Sequence, residues 1–289
     1  MTFGSHETGA RTAPAHGRRR LLRIGAGLGV ACALGRGTAH GNPRWSFDEL
    51  QPPPEGRDWR ILDADDHGHV PPDWSDPDGR LDHRVGHEPA PDGRAAFRHD
   101  VRRDEVVEPL GIDSPVLPLD FAGTESVLLR YHTWITAPSF IDGKWVGLML
   151  GRGWVGDDYP RPADAVYGED GAGVNVMHPG RPAGNGVRLL GSHVGQRKPY
   201  GTNFGDGKEI VPLGRWLTID TVADRTRGYR LYVDGRETAR SEPLAPMAHW
   251  ETARAVWYRI RLMHGGRPEE LRALNDYREW LGGFFVGVA

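Results

Sequence analysis

The chain has 289 residues, with 36 lysines and arginines against 39 aspartates and glutamates, a formal charge of −3, and 40 glycines and 23 prolines. So much glycine and proline disfavours long helices and leaves room for one large domain or two small ones. The acidic balance excludes the broad positive field on which nucleic-acid binding depends.

Near the N-terminus, GRRRLLRIGAGLGVACALGRGTAHG joins arginines (Arg18 to Arg20, Arg23) to a weakly apolar run from Ile24 to Leu34, with small residues near Ala39. This reads as an export signal over residues 1–39, of the twin-arginine type and cleaved after Ala39. The run is too short and too glycine-rich to remain in a bilayer as a spanning helix. A secreted chain without a membrane anchor is expected. Cys32, the only cysteine, leaves with the signal, so no disulfide is expected. Removing residues 1–39 takes away six arginines and one glutamate, which leaves 30 basic and 38 acidic residues and a charge of −8. An acidic polysaccharide would need a locally basic groove on such a body.

Residues 40–80 are rich in Pro, Asp and Gly without sustained periodicity, and read as a strap packed through Trp45, Trp59 and Trp74. Within it, DADDHGH offers Asp63, Asp65, Asp66, His67 and His69 to a cation. The stretch lacks the glycine and the terminal glutamate of a calcium loop in register, so a solvated turn is the reading. His40 would become the first mature residue and raises a copper-brace reading. That needs a second histidine opposite, and the rest of the chain does not resemble the copper monooxygenases that act on polysaccharides. No metal site and no cofactor is expected, with a structural calcium ion left open.

From residue 81 to 289 the chain becomes short alternating runs split by Gly, Pro and Asp: AAFRHDVR, SVLLRYHTWIT, KWVGLMLG, GAGVNVMH, GVRLLGSH, RWLTIDTVA, YRLYVDG, VWYRIRLMHGG and GFFVGVA. Such spacing predicts an all-β antiparallel sandwich or barrel in one domain. Only PEELRALNDY offers a helical turn. Asp234-Gly235 supplies the positive φ angles of a tight hairpin. In RWLTIDTVA, Trp216, Thr218, Asp220 and Val222 share one face, and two paired strands are expected over 216–233.

Two runs alternate in a way that asks for explanation. In SVLLRYHTWIT, Arg130, His132 and Trp134 share one face, with Leu129, Tyr131, Thr133 and Ile135 on the other. In VWYRIRLMHGG, Trp257, Arg259 and Arg261 lie opposite Val256, Tyr258, Ile260 and Leu262. If the apolar sets are core, the polar sets suit two strands of one concave sheet lining a trough for an acidic sugar chain. Arginine forks a carboxylate and tryptophan stacks on the apolar face of a sugar ring. The rival reading of Arg259 and Arg261 is that of solvated charges deterring sheet aggregation. Between these runs, residues 176–208 concentrate His178, Arg188, His193, Gln196, Arg197, Lys198 and Tyr200, and residues 191–208 read either as a ligand-contacting segment or as an ordinary basic loop.

The hairpin LGRWLTIDTVADRTRGYRLYVDGRE is similar to the penultimate hairpin of concanavalin-A-like jelly rolls. IDGKWVGLMLGRG, and RLMHGG followed by a last strand, resemble more narrowly the jelly-roll polysaccharide lyases of the alginate and glucuronan lyase type. Here Trp145-Val146 stands where that family often has Leu-Pro, and His264 where it has an aromatic before Gly-Gly. The resemblance covers residues 81–289 and implies a jelly roll that cleaves a uronate-containing polysaccharide by β-elimination. It matches His178 to the family's Tyr-His-Pro strand end and Tyr200 to its Tyr-Gly. It implies Tyr200 with His178 or His193 as base and acid, and Lys144, Arg130 or Gln196 as neutraliser of the uronate carboxylate. Arg130, His132, Trp134, Gln196, Lys198, Trp257, Arg259 and Arg261 are the expected substrate contacts, in a monomer whose partner is an acidic polysaccharide.

The alternative is a non-catalytic carbohydrate-binding module of the same fold, using the groove without an acid and base. A hydrolase would need two carboxylates across the groove, and no Glu-x-Asp-x-x-Glu strand is visible.

Overall fold

The computed structural model describes residues 45–68, 85–103, 110–137, 143–151, 171–178, 186–194, 201–207, 211–264 and 276–289. The export signal, Trp74, His69, Gln196, Lys198, Tyr200 and most of PEELRALNDY lie outside the described residues; of that last stretch, Asp276 and Tyr277 are described, and Tyr277 opens a strand.

Fifteen strands follow in chain order: β1 (Arg60–Asp65), β2 (Val85–His87), β3 (Phe97–Val101), β4 (Leu110–Asp113), β5 (Leu117–Pro118), β6 (Ser126–Ile135), β7 (Gly143–Gly151), β8 (Gly171–His178), β9 (Arg188–Gly191), β10 (Thr202–Phe204), β11 (Trp216–Asp224), β12 (Gly228–Val233), β13 (Arg236–Arg240), β14 (Ala255–His264) and β15 (Tyr277–Val288). They build two antiparallel sheets. The eight-stranded sheet has the order β13-β12-β11-β6-β15-β3-β2, with β1 also on β15, and the seven-stranded sheet has the order β10-β9-β8-β7-β14-β4, with β5 also on β14. The protein is an antiparallel β-sandwich of the jelly-roll kind.

Period-two alternation fixes what lies between the sheets. Leu129, Tyr131 and Ile135 of β6, Leu217 and Ile219 of β11, and Leu281, Phe284 and Val286 of β15 meet Val146, Leu148 and Leu150 of β7, Val174 and Val176 of β8, and Val256, Tyr258 and Ile260 of β14. Phe284 stacks on Tyr131 of its own sheet at 5.8 Å and on Tyr258 of the other at 5.1 Å. The hairpin expected from Asp234-Gly235 forms, with φ of 51° and 75°, between β12 and β13.

Residues 45–59 lie across the outer face of the eight-stranded sheet, and their anchor is Arg130. Its guanidinium forks the Asp220 carboxylate at 2.6 and 2.8 Å and gives its other three N–H bonds to the carbonyls of Phe47, Gln51 and Pro52 at 2.5, 2.9 and 3.0 Å. Both charged side chains are fully buried. Register sets the pair, because Asp220 on β11 stands directly opposite Arg130 on β6. Beside them Trp45 stacks on His132 at 4.4 Å and meets Trp216 edge-on at 4.6 Å. The stack needs Gly283, at φ +57°, where a Cβ would stand 2.6 Å from Trp45 and 2.7 Å from His132. Farther along, Glu55 holds φ +62° while its carboxylate accepts bonds from Arg57, Arg227, Arg230 and Tyr232, which offsets the cost of a left-handed backbone. Trp45 and Trp59 are both buried.

A second polar cluster sits inside the sandwich. Glu279 of β15 is fully buried and accepts hydrogen bonds from the Thr133 hydroxyl at 2.8 Å, the Tyr277 hydroxyl and the Trp145 indole. Burial pushes its carboxyl up from 4.5 to about 7. Burial, helped by the nearby Arg130 and Arg94, pulls the His132 imidazole down from 6.5 to about 3.

Two predictions follow from these buried groups. Arg130→Met leaves the buried Asp220 carboxyl without its cation, and we expect it to cost about 3–5 kcal/mol, with the Arg130→Met/Asp220→Leu double variant recovering only part of that because the Phe47, Gln51 and Pro52 carbonyls still lack their donor. Urea denaturation measures the loss, and faster amide exchange over residues 45–57 in the single variant locates it. The second concerns pH. Unfolded His132 gains its proton near 6.5 while the folded ring stays neutral to about 3, so its contribution is complete above pH 6.5 and is lost as pH falls. Unfolded Glu279 loses its proton near 4.5 while the folded carboxyl keeps it to about 7, so its contribution is complete below pH 4.5 and is lost as pH rises. The two slopes oppose each other between 4.5 and 6.5. Glu279→Gln should make stability climb with pH across that window, and His132→Phe should make it fall, by about 3 kcal/mol in each case. Parallel curves for the two variants would refute the assignment.

Candidate functional site

With one outer face covered by the strap, the candidate site is the outer face of the seven-stranded sheet. Three lateral rows cross it. Arg188, Met177 and Lys144 are direct neighbours on β9, β8 and β7. Asn203, Leu190, Asn175, Gly147, Arg259 and Asp113 form the next row, running over β10, β9, β8, β7, β14 and β4. Gly173, Met149 and Trp257 form the third.

Glycine shapes the floor. At Gly147 a Cβ would stand 2.4 Å from Asn175 Oδ1 and 2.8 Å from Met149 Cε, and at Gly173 one would stand 2.7 Å from Met149 Sδ. The absent side chains let Met149 and the Asn175 amide lie flat on the sheet. Met149, Ala255 and Trp257 form a small apolar cluster with Val116, and the Trp257 ring lies where a Cβ on Gly151 would meet it at 3.5 Å. Around this floor stand half-buried Lys144, Arg188 and Arg259. Neighbouring strands are about 4.8 Å apart, so Lys144 and Arg188 sit about 10 Å from each other across the sheet. Asn175 is 9% exposed, and its Oδ1 has no hydrogen-bond partner among the described residues. Three cations and an unfilled amide acceptor around an apolar floor suit an anionic, hydroxyl-bearing ligand.

The expectation that β6 and β14 line one trough is overturned. They belong to different sheets, so Arg130 and His132 face away from Arg259 and are fully buried under the strap. Trp134 is half-buried against the edge of Trp216 at 5.9 Å, on that same covered face. Alternation tells which residues share a face but not which sheet carries them. Trp257 and Arg259 do share the candidate face, but Trp257 is 5% exposed and forms floor, not an open stacking platform. Arg261 takes its place on β14 opposite Gly111, and His178 closes β8 opposite Gly143, next to the Lys144–Met177 pair; the side chains of both are outside the described residues.

His193 follows β9. Its Nδ1 meets the Val194 carbonyl at 2.8 Å and its Nε2 meets the Thr202 hydroxyl at 2.9 Å, with the ring tilted against Phe204. Thr202 and Phe204 fall on the inner row of β10, so this histidine turns away from the outer rows. Asp65 and Asp66 serve the backbone, accepting the N–H of His67 and of Trp45. Among the described residues no cluster of three metal-ligating side chains occurs, and no helix is long and apolar enough to cross a membrane. Sequence reading missed Asn175 and Met177. The alternation of GVNVMH carries their signal, since it sets both opposite the core valines.

No family model and no curated protein matches this sequence. Solved structures do. The alginate lyase of Aplysia kurodai is 13% identical with a TM-score of 0.55, over 80% of this chain and all of that one. An alginate lyase variant solved with an alginate tetrasaccharide is 12% identical with a TM-score of 0.51, over 78% of this chain and 97% of that one. An endo-β-1,4-glucuronan lyase from Trichoderma reesei is 10% identical with a TM-score of 0.46, over 80% and 96%. The fold is shared with the two alginate lyases.

The floor generates a prediction. Gly147→Ala must displace the Asn175 amide and the Met149 methyl, and we expect it to cost about 1–3 kcal/mol, as overpacking does. Thermal melts that coincide with the parent would show that Asn175 does not lie over Gly147.

Proposed function

We propose that the protein is a secreted polysaccharide lyase that cleaves a uronate-containing chain by β-elimination on the outer face of the seven-stranded sheet. The observation that carries this reading is the grouping of Lys144, Arg188 and Arg259 around an apolar, glycine-flattened floor on a jelly roll similar to alginate lyases. A uronate offers a carboxylate for those cations and an apolar ring face for Met149. Lys144, with Arg259 beside it, neutralises the carboxylate and so acidifies the neighbouring C5–H. A base takes that proton, the C4–O bond breaks as the C4–C5 double bond forms, and an acid returns a proton to the leaving oxygen. Tyr200 and His178 are the proposed base and acid. His178 closes β8 opposite Gly143, and its role is carried by the resemblance alone. Gln196 and Lys198 are proposed to contact the chain, and no metal enters these steps. Export by the twin-arginine route and a monomeric state complete the proposal.

The test is to incubate the mature protein with alginate, glucuronan and heparin-like chains and follow the near-ultraviolet absorbance of the new double bond. Lys144→Ala should lower kcat by about 10²-fold or more, as loss of a charge-stabilising donor does. Tyr200→Ala should abolish product release. Saturable binding of these chains with no absorbance change would replace the lyase by a binding module.

A further inference from the structure

The sequence KWVGLMLG, read by alternation alone, sends Lys144 to the same side as Val146, Leu148 and Leu150, which is the core. Lys144 is instead the lateral neighbour of Met177 on the outer row. A β-bulge makes the difference. Between the pairs Lys144–Met177 and Gly147–Asn175, β7 spends Trp145 and Val146 where β8 spends only Val176. Trp145 and Val146 are both core residues, 3% and 1% exposed, and the next residue back emerges on the outer face. Something must hold this register, because a one-residue slip would bury the lysine.

Trp145 is held from the other sheet. Its indole N–H is shared between the Glu279 carboxylate and the Tyr277 hydroxyl, both on β15. Thr133 of β6 donates to the same carboxylate. The other groups facing it are the Tyr131 hydroxyl and His99, its ladder partner on β3, and among the described residues no lysine or arginine pairs with it. A carboxyl placed in a core without a cation costs stability that a leucine would not, so its presence asks for a use beyond packing.

We propose that Glu279 is a positioning residue: by gripping the Trp145 indole across the sandwich, it holds the β7 bulge in the register that presents Lys144 on the outer face. The inference rests on the reading of that face as the reaction site.

The experiment is a double-mutant cycle with two readouts. Trp145→Phe keeps the ring and removes the N–H, Glu279→Gln keeps an acceptor, and Glu279→Leu removes it. Trp145→Phe should lower kcat about tenfold with KM within about twofold, and should cost nothing further in a Lys144→Ala background, as expected of residues acting as one unit. Glu279→Leu should behave as Trp145→Phe does, and Glu279→Gln should restore most of the loss. The second readout needs no substrate. The chain has three lysines, Lys144, Lys198 and Lys208. Reductive methylation followed by mass spectrometry should change at Lys144 by about threefold or more in Trp145→Phe, with Lys198 and Lys208 unchanged, as a local opening would produce. Additive losses in the cycle, or unchanged labelling of Lys144 in Trp145→Phe, would overturn the proposal. A parent protein that makes no unsaturated product while its Lys144 labelling still depends on Trp145 would sink the lyase reading and leave the positioning role standing.

Discussion

A fully buried fork between Arg130 and Asp220 decides what the rest of this protein can do. Two charges removed from water are worth having only when every hydrogen-bonding position is used, and all five guanidinium N–H groups are. Three of the five reach carbonyls of residues 47–52, so the ion pair cannot be satisfied by the sheet alone. The strap is part of its solvation. Remove the strap and a charged pair lies open on β6 and β11; remove the pair and three strap carbonyls lose their donors. Sheet and strap therefore depend on each other, and residues 47–52 cover the outer face of the eight-stranded sheet over β6.

That cover turns attention to the other face, and the composition of each face agrees. The covered face carries aromatic stacking, with Trp45, His132, Trp216 and Phe285 in contact. The other face is paved with glycine and methionine, which leave shallow room, and it carries its cations on three separate strands. A buried imidazole held neutral far below its ordinary range is a structural filler beneath an indole, whereas a half-buried lysine beside an amide with an unfilled acceptor is equipped to meet something from outside.

Much of the architecture was legible in the sequence. Strand runs, the Asp234-Gly235 hairpin and the core side of β6 and of β14 as far as Ile260 follow from period two and turn chemistry. The assignment of strands to sheets does not, because β6 and β14 carry the same pattern of arginine and tryptophan opposite apolar residues. What separates them is a long-range event, the docking of residues 45–59, and the proline-rich segment that performs it has no periodicity to read. Trp257 shows a related limit. Alternation correctly set it on the outer face, but Met149, against which it packs, is on another strand. Part of the expected site, Tyr200, Gln196 and Lys198, falls outside the described residues and stands on resemblance and proposal alone.

Lys144 shows why a bulge matters more than a motif here. Its neighbours in sequence give no hint that it faces outward, since an undisturbed β7 would bury it beside Val146. The extra residue that reverses it is a tryptophan, whose bulk fills the core and whose single N–H requires a partner there. That partner is a carboxyl on the opposite sheet, the one acidic group in the inter-sheet cluster with Thr133, Tyr277 and Tyr131. The outer and inner clusters are thus two ends of one lever: a polar bond in the middle of the sandwich fixes the parity of a strand, and the parity decides which way a cation points.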